Sequence, residues 1–104
     1  MLNVQKREAG DTANVLLSLI ERLKFQVSPL PMKYSRYEAS AHNVLGRISL
    51  SEGTEESARR AVTHFEDELE VYRAIGDDEG VASAKTNIAS AKSMYEVTNG
   101  ATQV

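Results

Sequence analysis

Between His42 and Ala89 the chain reads HNVLGRISLSEGTEESARRAVTHFEDELEVYRAIGDDEGVASAKTNIA, and this stretch decides the fold. Its apolar residues recur every three or four positions and nowhere alternate as a strand requires. Ala58, Ala61, Val62, Phe65, Leu69, Tyr72 and Ile75 fall on one side of a helix. The punctuation agrees. Gly53 stops the preceding helix, since glycine accepts the left-handed backbone that closes many helices. Thr54 then caps a new one, with Glu55 and Glu56 set against its N-terminal dipole. Gly76 ends that helix, and the spacing predicts it over residues 54–75.

The same reasoning extends in both directions. Upstream, Tyr34, Tyr37, Ala41, Val44, Leu45 and Ile48 form the stripe of a helix predicted over 32–52. Ser28-Pro29-Leu30-Pro31 separates it from a first helix over 11–27, because each proline removes a donor and disfavours a helical residue before it. Ala13, Leu16, Leu17, Ile20 and Leu23 share a face there, and Asp11 or Thr12 supplies a cap. Downstream, Asp77 caps a fourth helix over 78–97, with Val81, Ala84, Ile88, Ala91 and Tyr95 as its stripe. Asn99-Gly100 closes it, and residues 101–104 carry no periodicity and are expected to fray. Connections of two to five residues fold each helix back on its predecessor. One all-α domain over 1–104, built of antiparallel helix pairs, is therefore expected. Topology alone leaves open a stacked-pair solenoid or a closed four-helix up-down bundle.

An internal repeat bears on that choice. At a spacing of 43 residues, Ala39-Ser40-Ala41 matches Ala82-Ser83-Ala84, and Leu45-Gly46 matches Ile88-Ala89. Small residues at Gly46 and Ala89 would let a neighbouring helix come close.

At these residues the chain resembles the tetratricopeptide repeats, most closely the longer kinesin-light-chain-like kind. Leu45-Gly46 sits where that family places a Leu-Gly pair, and Gly53 falls at its first turn. Ala61, Phe65 and Leu69 follow at the family's spacing. The run from Tyr72 to Gly80 is similar to its Leu-Gly-Asp linker, and Asn87-Ile88-Ala89 to its Asn-Leu-Gly. The likeness covers roughly half the chain strongly and the fourth helix in part. It departs at Ser49, where the family prefers Tyr, and at Glu68, where it prefers Ala. About three extra residues lie between Gly53 and Ala61. The resemblance implies a right-handed solenoid fragment with units at 34–76 and 77–104, the second incomplete. The first helix then stands as the second helix of an earlier, degenerate unit.

The resemblance also implies a binding groove on the inner helices. Asn43, Arg47 and Leu50 would face it from the first unit, and Thr86, Ser90 and Ser93 from the second. An amide and a guanidinium suit an extended peptide's carbonyls and carboxylates. Asn43 and Arg47 are thus the leading candidates.

Composition narrows the function further. Of 104 residues, 41% are hydrophobic and 26% charged, near globular averages. No apolar run is long enough to span a bilayer, and no secretory signal opens the chain. Without cysteine there is neither a disulfide frame nor a thiolate nucleophile, and a cytoplasmic protein is expected. The net charge of −3 is uneven: ten acids and three arginines between Glu52 and Glu79 give −7, while the rest is +4. With no basic stripe, nucleic acid and membrane are not expected partners.

Nothing in the sequence reads as a catalytic centre. His42 and His64 are the two imidazoles, without a metal-ligand spacing around either, so no metal or other cofactor is expected. Glu68 stands at i+4 from His64 as an ion-pair neighbour, and Arg73 at i+3 from Glu70. Glu66, Asp67 and Glu70 point to solvent with Phe65 and Leu69 turned inward, and Glu68 lies at the core edge. The expected function is non-enzymatic binding of a protein or peptide. Alternatives are an oligomerising bundle or an accessory helical domain of a larger protein. Self-association is expected through helix four, where Met94, Val97 and part of Tyr95 have no following helix to cover them.

Overall fold

The computed structural model describes residues 3–102, with side chains from 5 to 96. The chain forms four α-helices, α1 (Asn3–Gln26), α2 (Met32–Ser51), α3 (Glu55–Ile75) and α4 (Asp78–Thr102). No strand occurs among the described residues.

Helix α3 starts and stops where its sequence directs. Thr54 Oγ1 accepts from the Ser57 amide at 2.9 Å, and Ser57 Oγ accepts from the Thr54 amide at 3.0 Å. This reciprocal box satisfies amides that a helix start leaves free, with serine in the place usually held by Glu or Gln. At the other end Gly76 takes φ 72°, and the Asp77 amide reaches back to the Tyr72 carbonyl at 3.0 Å. That is the left-handed close expected of glycine, as is Gly53 at φ 77° after α2. Asp77 then turns its Oδ1 to the Gly80 amide at 3.0 Å and opens α4.

Two boundaries differ from the sequence reading. Helix α1 begins at Asn3 rather than near Asp11, so Asp11 and Thr12 are exposed mid-helix residues and not caps. Lys6, Arg7, Glu8 and Ala9 are good helix formers. Gly10 faces α2, where a Cβ would make ordinary contact at 3.6 Å from Ile48 Cδ1, and a single glycine does not stop the helix. Helix α4 continues through Asn99 and Gly100 to Thr102. No proline follows to stop it, and glycine inside a helix costs only about 1 kcal/mol. Of the residues expected to fray, 101 and 102 are helical, and 103–104 lie outside the described residues.

The helices pack as consecutive neighbours, α1 on α2, α2 on α3 and α3 on α4. No comparable α1·α4 interface forms among the described residues. The molecule measures 51 × 34 × 19 Å, thin in one direction. The contacts are close because small residues line them: Ala39, Ala41, Ala58, Ala61, Ala84 and Ala91 are all buried. Phe65 is the largest wholly buried side chain, 1% exposed, and is packed in a cluster with Ala61, Val62 and Ala91. Leu50 from α2 and Ile88 and Tyr95 from α4 close around it. Burying one Phe contributes up to about 3 kcal/mol, so this ring is the largest single contributor among core residues that are mostly alanine. Tyr37, expected in the α2 stripe, is instead 49% exposed and meets Tyr34 edge-on. Ala39 takes the buried position beside it.

Candidate functional site

Three features break the surface of this helical row. The first is a cleft between α1 and α2. One depression of ≈ 390 Å³ is bounded by Lys6, Ala9, Val44, Arg47 and Ile48. A second, of ≈ 410 Å³, continues from it through the shared Ala9 and Val44 toward Leu16 and Ser40. Small and aliphatic residues make the floor because α1 runs close to α2 at Gly10. Arg47 and Lys6 stand on the rim, and neither is among the ion-paired residues described. An apolar floor with a cationic rim suits a segment carrying aliphatic groups and a carboxylate.

The second is a polar bridge across three helices. Asn43 of α2 donates its amide to Glu68 Oε1 of α3 at 3.3 Å, and Asn87 of α4 stands near enough to the same carboxylate to help lower its pKa. Glu68 is only 3% exposed, and burial raises its pKa while the two amides pull it back. A buried carboxylate requires such partners, so this bridge holds α2, α3 and α4 in register.

The third lies between α2 and α3. His42, His64 and Asp67 place one potential donor atom each within 4.8 Å of one another. His42 Nδ1 is 3.9 Å from Asp67 Oδ2, is buried, and has no hydrogen-bond partner. Burial, then the neighbouring His42, lowers the His64 pKa, which favours its neutral form. Beside the cluster is a cavity of ≈ 430 Å³ reached by His42, Asp67, Glu38, Glu70 and Lys24. Lys24 is bound to Glu38 at 2.8 Å, and that hydrogen bond raises the lysine pKa.

The six residues assigned to a groove lie on α2 and α4, in different surroundings. Arg47 is exposed and lines the α1·α2 cleft. Thr86, Ser90 and Ser93 are exposed on α4; the Thr86 hydroxyl bonds the Ala82 carbonyl and that of Ser93 the Ser90 carbonyl. Asn43 is half-buried and committed to Glu68, and Leu50 packs against the Phe65 cluster. Both were expected off the buried stripes; the rotation of α2 toward α3 brings them in. Of the paired small positions, Gly46 meets Phe65, whereas Ala89 is exposed.

Two local pairings also differ. Glu68 turns to Asn43 rather than to His64, and Asp67, expected in solvent, lies beside His42. Glu70 and Arg73 are not among the ion pairs of the described residues. On α4 Met94 is exposed, while Tyr95 is half-buried with the Arg59 guanidinium 4.3 Å above its ring. The Val97 side chain lies outside the described residues. No described helix is long and apolar enough to cross a membrane.

No family model, curated protein or solved structure matches the chain.

Proposed function

We propose that the chain is a non-enzymatic protein-binding scaffold of tetratricopeptide-like helix pairs, and that it takes an extended or helical segment in the α1·α2 cleft. The observation that carries this reading is the continuous apolar floor from Ile48 through Val44 and Ala9 to Leu16, open to solvent and edged by Arg47. Consecutive helix packing without an α1·α4 closure supports the helix-pair arrangement, since a closed bundle brings its first and last helices together. The bound segment is expected to offer aliphatic side chains to the floor and an acidic side chain or terminal carboxylate to Arg47. Selection of binding peptides, followed by charge reversal at Arg47, tests it.

Self-association is a second reading, favoured by one observation. Val15 and Leu19 are exposed one turn apart on the outer face of α1, with Phe25 beyond them 94% exposed. Among the described side chains of α4, where self-association was expected, Met94 is the exposed large hydrophobic residue. Sedimentation of the wild type and a Val15→Glu/Leu19→Glu variant distinguishes the two: only a self-associating chain loses mass on substitution.

A further inference from the structure

We propose that His42, His64 and Asp67 form a binding site for one divalent transition-metal cation, with zinc as the reference ion, that clamps α2 to α3. The separation of 22 residues between the histidines argues against a shared site only while the fold is unknown. The pairing of α2 with α3 removes that objection. His64 and Asp67 stand at i and i+3 on one face of α3, and His42 meets them from α2.

The donor set is right for such an ion. Two imidazole nitrogens and one carboxylate oxygen make the three-ligand set that zinc and non-haem iron sites use while leaving a coordination position open. Here the position is available on the side of the ≈ 430 Å³ cavity, which His42 and Asp67 both line. Glu70 borders the same cavity and favours a cation, while the charge of Lys24 there is offset by its pairing with Glu38.

The second observation is the state of His42. Its side chain is 15% exposed, its Nδ1 is buried, and that atom has no hydrogen-bond partner. An unpaired buried nitrogen is costly, and native structures rarely keep one without a role for it. Nor is it half of an ordinary His–Asp hydrogen bond. The 3.9 Å gap to Asp67 Oδ2 exceeds hydrogen-bond range but spans the space an ion would enter. Zinc bonds of about 2.0–2.2 Å place tetrahedral ligand atoms about 3.3 Å apart, so the donors must close by roughly 0.6 to 1.5 Å. Asp67 is half-exposed and His64 only partly buried, which leaves both free to rotate inward.

The test uses the full chain, free of any affinity tag and stripped of metal. Zinc is titrated calorimetrically and in competition with a chromogenic chelator, and cobalt(II) is read by its visible ligand-field bands. One equivalent is expected to bind, cobalt is expected to show histidine coordination, and zinc is expected to raise the unfolding temperature. Asp67→Asn, at a half-exposed position, is expected to keep the wild-type circular dichroism and weaken zinc binding at least tenfold. His42→Gln is expected to do the same and to abolish the zinc-dependent rise in unfolding temperature. Wild-type chain that binds no zinc overturns the proposal. So does zinc binding left unchanged in both variants, which would place the ion on other surface carboxylates.

Discussion

The ring of Phe65 occupies the place where Gly46 would carry a side chain: a Cβ built on Gly46 would lie 2.5 Å from Phe65 Cε1 and 2.8 Å from Cδ1. The α2·α3 contact is thus a ring of α3 against bare backbone of α2. Gly46→Ala gains helix propensity of about 1 kcal/mol but forces a buried aromatic ring out of its seat. Overpacking of this kind costs about 1–3 kcal/mol, and a net loss is expected in chemical denaturation. Phe65→Ala, which empties the same seat, is expected to cost about 3–5 kcal/mol. The two changes share one contact, so Gly46→Ala in a Phe65→Ala background should cost little or become favourable. Equal effects of Gly46→Ala in both backgrounds would show that the pair is not coupled.

Asn43 distinguishes a structural role from a binding role. Its amide supports the buried Glu68 carboxylate, so Asn43→Ala leaves that carboxylate with Asn87 alone. A loss of stability of about 1–3 kcal/mol is expected. In an Asn43→Ala/Glu68→Leu chain the loss should shrink, because no buried charge remains to be satisfied. Unfolding midpoints of the three chains measure this. An Asn43→Ala chain as stable as wild type would return Asn43 to the surface role that the repeat resemblance implies.

Asp77 makes the junction between α3 and α4 sensitive to acid. The Gly80 amide, then the Arg36 guanidinium, hold its carboxyl below the usual carboxylate range. The unfolded chain therefore takes up that proton at higher pH than the folded one. The stabilisation is fully present above the usual range and is lost as pH falls through the folded value. Asp77→Asn keeps an acceptor for the cap but no charge for Arg36. It is expected to unfold at lower temperature than wild type at neutral pH, with the gap closing in acid. A gap that persists in acid would separate the effect from Asp77 ionisation.

What the sequence disclosed was local chemistry, and what it withheld was register. Gly53, Thr54 and Gly76 act on their own backbone, so the ends of α3 were legible residue by residue. The stripe from Ala58 to Phe65 was legible because burial on a helix repeats with its turn. Asp11 misled because a capping residue is only a cap if the helix has not already begun, and good helix formers precede it. The bond of Asn43 to Glu68 and the place of Asp67 beside His42 were withheld for another reason. Both depend on how far α2 is rotated against α3, which a contact between residues 25 apart fixes and no local pattern encodes. The meeting of His42 with His64 was hidden in the same way. The α1·α2 cleft could not be read because α1 extends eight residues beyond its expected start, and Lys6 and Ala9 lie in that extension.

Binding of a protein segment in the α1·α2 cleft, through its apolar floor and Arg47, is open to test by peptide selection. A random peptide library displayed on phage is selected against the immobilised chain, and the enriched peptides are synthesised and titrated. Enriched sequences are expected to combine aliphatic residues with an acidic side chain or free C-terminus. Their binding should fall at least tenfold, about 1.4 kcal/mol, in Arg47→Glu and in Ser40→Trp, which fills the cleft from an exposed position. Thr86→Glu and Ser90→Glu, on the far helix, should leave it unchanged. Enriched peptides that bind equally well to Arg47→Glu and Ser40→Trp but are lost in the α4 variants would contradict the account, as would a library that yields no peptide at all.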